Sequence, residues 1–241
     1  MSVQTKNTIF HSADSRGLAN HGWLVSRHTF SFANYYNPDR VNFGALRVLN
    51  DDIVKPGMGF GTHPHDNMEI ISIPISGSLA HKDSTGTEKE IKTGEVQIMS
   101  AGSGIQHSEY NYSKTEEVNF LQIWILPKER NIAPRYDQKD FSEALKNNNL
   151  VAVVSPEKDG ALWINQNAEL SLGHLAKGTN IKHKLSFKGN GIYAFLIEGK
   201  AKVNDAVLNK RDAIGYFDLK QIDIESLEDS KILLIEIPKI L

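Results

Sequence analysis

Two pairs of metal-ligating side chains stand out among the residues of this 241-residue chain, which has nine histidines. One pair is His63-Pro-His65 and the other is His107-Ser-Glu109. Side chains two positions apart on a β-strand point to the same face. If the two strands are neighbours inside a barrel, three imidazoles and one carboxylate converge, and this ligand set suits Zn, Cu, Fe, Ni or Mn. A His-x-His pair alone is usually a chance pair, so the surrounding residues decide.

The composition excludes several classes of function and partner. The chain has no cysteine, which excludes disulfides, thiolate nucleophiles, zinc fingers and iron–sulfur clusters. It has 27 Lys and Arg against 29 Asp and Glu, so it lacks the basic field that holds a nucleic-acid backbone. No apolar run approaches the length of a membrane span, and the N-terminus has no apolar signal region. We therefore expect a cytoplasmic protein with no direct nucleic-acid partner and no membrane contact.

Short strands are the elements that would position these side chains. Apolar runs rich in β-branched and aromatic residues, such as Ile70–Ile75, recur between Gly, Asn, Asp and Pro, and this pattern is typical of an all-β protein. Only residues 139–146 have a helical pattern, which predicts one minor short helix and a domain junction near it. A strand–turn–strand pattern recurs in both halves. The sequence therefore predicts two sequential antiparallel β-barrels, residues 1–135 and 136–241.

The residues around both pairs resemble the two signatures of the cupin superfamily. Residues 57–77 follow the first signature, a glycine, His-x-His, a glutamate and a second glycine, with one extra residue before the last glycine. Residues 94–111 resemble the second signature, which ends in His-x-x-x-Asn. They depart from it by having Ser100 where proline is usual and a longer gap before His107. Two ordered motifs that both bear candidate ligands favour a metal-binding cupin over a chance pair.

Longer motifs make the resemblance more specific. Within residues 16–127 they are Arg16-Gly-Leu-Ala-Asn-His-Gly-Trp-Leu24, His28-Thr-Phe-Ser-Phe-Ala33, Phe43-Gly-Ala-Leu-Arg-Val-Leu-Asn-Asp-Asp52, His63-Pro-His-Asp-Asn-Met-Glu-Ile70 and Met99-Ser-Ala-Gly-Ser-Gly-Ile-Gln-His-Ser-Glu109. Together these motifs resemble the pirin family of bicupins, and within it the bacterial members described as quercetin 2,3-dioxygenases. The resemblance implies a jelly-roll barrel in each half of the chain.

The resemblance also implies a metal site. It places one divalent transition metal in the N-terminal cupin, with three His and one Glu as ligands, and these fall on His63, His65, His107 and Glu109. Fe(II) is the expected ion, and Mn, Ni, Co, Zn and Cu are alternatives that the same ligands accept. Glu69 corresponds to a ligand of many other cupins, and we expect it to be a structural carboxylate close to the site.

Several other residues are expected to have roles apart from metal binding. By the offset between the halves, the two histidines of the first motif correspond to Leu185 and Phe187, so the C-terminal cupin is predicted to lack metal ligands. His81 is expected at the surface, and His21 and His28 are expected to form hydrogen bonds near the barrel mouth or core. An apolar pocket is predicted to be lined by Phe43, Met58, Phe60, Met68 and Met99.

An activity follows from the resemblance, together with an alternative. Quercetin 2,3-dioxygenases cleave a flavonol ring with O2 and release carbon monoxide, leaving a depside ester. Glu109 is the expected catalytic base for the flavonol 3-hydroxyl, because a carboxylate on the metal can loosen and accept a proton within hydrogen-bond reach. The alternative is a non-enzymatic, metal-dependent regulatory or redox-sensing pirin that acts through a protein partner and not through DNA.

Overall fold

Strands make up nearly all of the regular structure in the computed structural model, which describes residues 7–240. The prediction that the chain has no signal region rests largely on residues 1–6, which lie outside the described residues. Within residues 7–240, no helix is long and apolar enough to cross a membrane. The predicted all-β bicupin architecture is confirmed, since the chain forms two units and each unit contains two antiparallel sheets.

The regular elements are numbered in chain order. The first twelve strands are β1 (Thr8–His11), β2 (Gly17–Asn20), β3 (Leu24–His28), β4 (Leu46–Val54), β5 (Gly59–His65), β6 (Glu69–Ser76), β7 (Ser78–Asp83), β8 (Glu88–Lys92), β9 (Glu95–Ser100), β10 (Ile105–Asn111), β11 (Val118–Ile125) and β12 (Arg135–Asp140). The strands that follow are β13 (Leu150–Val154), β14 (Glu169–Leu175), β15 (Asn180–Lys184), β16 (Gly191–Glu198), β17 (Lys200–Val203), β18 (Ala206–Asn209), β19 (Ala213–Tyr216), β20 (Gln221–Ser226) and β21 (Ser230–Ile237). A 3₁₀ turn spans Ala13–Ser15 and the helix α1 spans Ser142–Leu145.

The N-terminal cupin comprises Gly17–Phe141 together with Ile164–Gln166. Its larger sheet has seven strands in the order β12-β9-β6-β11-β4-β3-β2, and its smaller sheet has four in the order β5-β10-β7-β8. The smaller sheet carries both sequence motifs, because β5 holds the two histidines of the first and β10 holds His107 and Glu109 of the second. The two strands are paired with each other, as the metal-site hypothesis requires.

The C-terminal cupin repeats this plan. A six-stranded sheet has the order β1-β19-β16-β21-β14-β13, and a four-stranded sheet has the order β15-β20-β17-β18. One cluster of its buried aliphatic side chains includes Leu196, Ile214 and Leu234, and Leu185 packs against it. By the predicted offset between the halves, Leu185 corresponds to a histidine of the first motif, and its side chain packs against the apolar core.

The boundary between the units differs from the predicted one in two places. The prediction assigned residues 1–135 to the first cupin, but β1 pairs with β19, and the chain joins the N-terminal cupin only at Gly17. At the other end, β12 pairs with β9 and carries the N-terminal cupin on to Phe141. Both differences arise from strand pairings between residues far apart in sequence.

The helix lies where the sequence predicts one but is shorter. Of residues 139–146, only Ser142–Leu145 are helical, while Lys139 and Asp140 are the last residues of β12. Leu145 is the buried residue of this single turn. One turn with one buried side chain has little packing to extend it, because most helix stability in proteins comes from tertiary packing.

Candidate metal centre

Three imidazoles converge at the ends of β5 and β10. His63 is directly opposite His107 in the antiparallel ladder, and His65 lies two residues further along the same face of β5. The ring centroids are 4.5 Å apart for His63 and His107, 4.8 Å for His63 and His65, and 4.9 Å for His65 and His107. One nitrogen from each ring lies within 4.8 Å of one nitrogen from each of the other two.

The pKa values and hydrogen-bond contacts of these imidazoles suit the binding of a cation. Burial, together with His107 and His63, lowers the pKa of His65 to about 4. Burial, together with His63 and His81, lowers the pKa of His107 to about 3. His63 donates from Nδ1 to the carbonyl oxygen of Gly61 at 2.7 Å, so its Nε2 keeps the lone pair. Neither ring nitrogen of His107 has a hydrogen-bond partner among residues 7–240. Neutral nitrogens with free lone pairs are what a divalent ion requires.

Glu109 is held from the opposite sheet. Its Oε1 accepts a hydrogen bond from the Ser72 hydroxyl at 2.9 Å, and its Oε2 accepts one from the Gln122 amide at 2.6 Å. Ser72 lies on β6 and Gln122 on β11, and the two residues are paired across those strands. Glu109 itself is 2% exposed. Two donors on one buried carboxylate fix its orientation, because hydrogen bonds to a charged acceptor are short and strong.

The four predicted ligands do not form a single group in the structure. His63, His65 and His107 form one group, whereas Glu109 forms a second group with His107 and His81. His107 belongs to both groups. The structure therefore places the predicted carboxylate beside the shared histidine and brings in a fourth imidazole.

The expected surface position of His81 is wrong. His81 is 1% exposed and lies opposite Glu109 in the pairing of β7 with β10. Side chains alternate along β7, so Leu79, His81 and Asp83 are buried while Lys82 between them is exposed. A charged and polar sequence around a histidine does not reveal which face of the strand the histidine occupies.

The N-terminal cupin holds a second buried carboxyl group whose pKa Glu109 influences. Asp52, on β4, is 3% exposed, and its Oδ1 has no hydrogen-bond partner among residues 7–240. Burial raises the pKa of Asp52 to about 7, and the charges of Asp51 and Glu109 add to this effect. The barrel interior therefore holds one fixed carboxylate beside the histidines and a second carboxyl group that is easily protonated.

A glycine allows β5 to approach β10 at this level. A Cβ atom on Gly59 would lie 2.3 Å from the carbonyl oxygen of Glu109 and 2.4 Å from the Cα of Tyr110. The pairing of the two strands is irregular between His107 and Glu109, where the register shifts by one residue. A side chain at position 59 would push the strand with the histidines away from the strand with the glutamate.

Glu69 lies in neither ligand group. It is 1% exposed at the start of β6, and its Oε2 accepts hydrogen bonds from the Ser100 hydroxyl at 2.8 Å and the Asn165 backbone amide at 3.2 Å. Burial raises the pKa of Glu69 to about 7. These contacts tie β6 to β9 and to the segment 164–166.

The residues predicted to line an apolar pocket differ in their exposure to solvent. Phe43 and Met99 are buried, at 2% and 0% exposure, whereas Met58 is exposed. Met68 packs with Trp124 and Tyr136 on the buried cluster that contains Met99. The Trp124 ring lies 4.9 Å from the ring of His65, and the Tyr136 ring lies 4.6 Å from that of His81. Trp124 and Tyr136, which the sequence analysis did not select, are the aromatic neighbours of the histidines.

His21 and His28, which were expected to form hydrogen bonds near the barrel mouth or core, differ in placement. His28 is 3% exposed and packs edge-on against Phe32, with ring centroids 5.3 Å apart. The expected hydrogen bond is not found at its Nδ1, which has no partner among residues 7–240. His21 is exposed.

A row of polar side chains crosses the larger sheet at the level of Glu109. The strand pairings place side chains of one row on one face of the sheet, and the buried members of this row, in spatial order, are Gln97, Ser72, Gln122, Asn50 and His28. Sequence reasoning missed this row. A signal was present, because single polar residues interrupt apolar strand segments in Val96-Gln-Ile98, Ile71-Ser-Ile73 and Leu121-Gln-Ile123.

The class of protein follows from these observations. Two double-sheet barrels in one chain, with a histidine and glutamate cluster in the first barrel only among the described residues, define a bicupin of the metal-binding type. The family model described as Pirin matches residues 10–125, and that described as Quercetinase C-terminal cupin domain matches residues 152–237. The chain belongs to the pirin family.

Similar proteins support this assignment along nearly the whole chain. The quercetin 2,3-dioxygenase of Escherichia coli strain K12 is 43% identical over 229 residues, which are 95% of this chain and 97% of that protein. A pirin-like protein of Caulobacter vibrioides is 40% identical, over 92% of this chain and 96% of its own length. The crystal structure of the E. coli bacterial pirin YhhW in complex with nickel(II) matches with a TM-score of 0.91 and 41% identity, covering 97% of this chain and 100% of that one.

Proposed function

We propose that this protein is a metal-dependent dioxygenase that opens the ring of a flavonol such as quercetin with O2 and releases carbon monoxide. His63, His65, His107 and Glu109 hold one divalent transition metal in the N-terminal cupin, and Fe(II) is the first candidate. The observation that carries the proposal is the convergence of neutral imidazoles beside a carboxylate with a fixed orientation. The names of the relatives supply the substrate class.

The donor set fits such an ion. His107 offers buried nitrogens without a partner among residues 7–240, and His63 offers Nε2 because its Nδ1 is used by a carbonyl oxygen. Three imidazoles and one carboxylate suit Fe, Ni, Co, Zn and Cu, and the oxygen ligand extends the range to Mn. A metal bound by these residues would supply Lewis acidity and, for iron, one-electron redox chemistry.

Glu109 has the role of proton acceptor. In the proposed reaction the flavonol 3-hydroxyl gives its proton to the carboxylate of Glu109, and the flavonolate becomes electron-rich enough to react with O2. The two atoms of O2 bond to the ring carbons on either side of the carbon that bears this oxygen, and the two ring bonds of that carbon break. That carbon leaves with its oxygen as carbon monoxide, and a depside ester remains, whose new carboxyl group takes back the proton. Ser72 and Gln122 keep the carboxylate aimed while this proton is transferred, since each holds one of its oxygens.

Aromatic neighbours would orient a flat substrate. Trp124 stands edge-on to His65, and Tyr136 lies beside His81, so apolar surface borders the histidines on two sides. Both rings rest on the buried cluster around Ile70. Apolar walls with a few polar groups are typical of sites for aromatic ligands.

Metal analysis and an anaerobic titration test the proposal. After dialysis, the wild-type protein is expected to hold about one transition metal per chain, and His63→Ala and His107→Ala are expected to lose it. Quercetin added to the metal-loaded protein without O2 should shift the flavonol absorption band, and admission of air should then produce O2 uptake and carbon monoxide.

Glu109→Gln is the informative variant for catalysis. It should retain some metal but consume no O2, because an amide cannot accept the proton. Glu69→Gln is the matched control, since it alters another buried carboxyl group of the same cupin that lies in neither ligand group. A band shift without O2 uptake in the wild-type protein, with each candidate metal, would favour the non-enzymatic alternative. Retention of full metal content by both histidine variants would refute the ligand assignment.

A further inference from the structure

A histidine and aspartate pair lies in the wall of the N-terminal cupin beside the predicted ligands. Nε2 of His81 lies 2.9 Å from Oδ2 of Asp83, and both side chains are 0% exposed. Oδ1 of Asp83 accepts hydrogen bonds from the Thr85 amide at 2.9 Å, the Thr85 hydroxyl at 2.6 Å and the Thr87 amide at 3.2 Å. The carboxylate of Asp83 is thus surrounded by donors.

These contacts fix the tautomer of His81. Two backbone amides and one hydroxyl of the turn Thr85–Thr87 donate to Oδ1 of Asp83, and hydrogen bonds to a carboxylate favour its ionised form. An ionised carboxylate only accepts, so Nε2 of His81 carries the hydrogen and Nδ1 keeps the lone pair. This Nδ1 is buried and has no hydrogen-bond partner among residues 7–240.

The arrangement matches that of a metal-ligating histidine. A ring nitrogen of His81 lies within 4.8 Å of a ring nitrogen of His107 and of a carboxylate oxygen of Glu109. Histidines that bind metals usually donate their other ring N–H to a carboxylate or carbonyl, which fixes the tautomer and raises the basicity of the ligating nitrogen. His81 has such a carboxylate in Asp83.

We propose that His81, His107 and Glu109 form a second position for a divalent transition metal, alternative to the position beside His63 and His65. The proposal rests on the proposed function, because the two positions share His107 and Glu109. One neutral imidazole offers one lone pair, so the shared histidine binds one ion at a time and the two positions are occupied in turn. The protein would thus hold its metal either with the two histidines of β5 or with the one histidine of β7, and these two strands pair with β10 on opposite sides.

Cobalt(II) binding to the metal-free protein tests this proposal. The double variant His63→Ala/His65→Ala removes the ligands that only the first position uses. We expect it to bind Co(II) with a saturable visible absorption band and close to one ion per chain, at an affinity below that of the wild type because the second position offers three ligands and the first offers four. Adding His81→Gln to the double variant should abolish the band, and calorimetric titration supplies the affinities.

Asp83→Asn in the double variant tests the tautomer. The amide that replaces the carboxylate can donate to Nε2 of His81, which moves the ring hydrogen to Nδ1 and blocks ligation, so Co(II) affinity should fall by roughly 10–100-fold. Thr85→Val is the matched control, because it removes a hydrogen bond to Asp83 without touching His81. Circular dichroism checks the fold, and if His81→Gln does not fold, the comparison of Asp83→Asn with Thr85→Val decides.

The outcomes separate this proposal from the proposed function. If the double variant shows no saturable Co(II) binding while the wild-type protein binds normally, the second position is refuted and the first stands. The same conclusion follows if the absorption band of the double variant persists after His81→Gln is introduced as a third substitution. If His107→Ala binds Co(II) as tightly as wild type, both positions are refuted, since both use that histidine.

Discussion

Replacing Gln122 with methionine tests whether the larger sheet orients the carboxylate of the metal centre. Gln122 donates from Nε2 to Oε2 of Glu109 at 2.6 Å, and Glu109 is buried. Methionine has a similar length but cannot donate, so one carboxylate oxygen would lose its protein partner. A hydrogen bond to a charged group contributes ~1.5–3 kcal/mol, and we expect the free energy of unfolding of the metal-free protein to fall by about that much.

The same substitution should weaken metal binding. Of the two donors Ser72 and Gln122, only Ser72 would still hold the carboxylate of Glu109. The carboxylate could then rotate away from the direction it has in the structure. Residues that orient a ligand typically change metal affinity by roughly 10–100-fold when they are removed. Isothermal titration of the metal-free protein with Ni(II), together with urea unfolding, measures both quantities.

Gln97→Met is the matched control for this experiment. Gln97 belongs to the same buried polar row and is 1% exposed, but neither polar atom of its amide has a hydrogen-bond partner among residues 7–240. Its replacement should leave Ni(II) affinity unchanged and leave stability unchanged or higher, because an unpaired buried polar group is removed. Wild-type affinity in folded Gln122→Met, or an equal loss in Gln97→Met, would refute the view that Gln122 orients Glu109.

Two further predictions concern the strand approach and the second buried carboxyl group. Gly59→Ala should lower the melting temperature and the metal affinity, because its Cβ would lie 2.3 Å from the carbonyl oxygen of Glu109. Gly61→Ala should change neither, because the nearest contact of its Cβ would be the Tyr110 hydroxyl at 3.8 Å. Equal melting temperatures for the two variants would contradict this reasoning. Asp52→Asn should stabilise the metal-free protein above neutral pH and have little effect near pH 4. The folded pKa of Asp52, about 7, exceeds its ordinary value of 3.8, so the cost of ionising it in the folded state grows as pH rises between these values and reaches at most ~4 kcal/mol. Urea unfolding of both proteins at pH 4 and pH 8 measures the difference, and a gain that is larger at pH 4 would show that the sign is wrong.

Much of the fold could be predicted because local patterns are enough for it. Short apolar runs between turn residues predicted an all-β chain, and the repeat of the strand pattern predicted two barrels; both are confirmed. The extent of each unit could not be predicted in the same way. The pairing of β1 with β19 and of β12 with β9 joins residues far apart in the chain, and no local pattern reports a partner that distant.

The residues of the candidate site also divide into those that a local pattern predicts and those that depend on long-range pairing. Spacing within a strand put His63 with His65 and His107 with Glu109, since period-two alternation is a local property of the backbone. It did not place His81, because alternation fixes which residues share a face but not which face is inside. Ser72 and Gln122 were missed for another reason, as they bind Glu109 from the opposite sheet.

By itself, the sequence determined the class of this protein, the family it belongs to and the two ordered motifs with their candidate ligands. The tertiary structure alone decided which of those ligands share a group, that His107 joins both groups, and that His81 with Asp83 stands beside Glu109. The physical reason is that side-chain type and spacing are local properties of one strand, whereas the distance between strands depends on pairing register and on the packing of two sheets against each other.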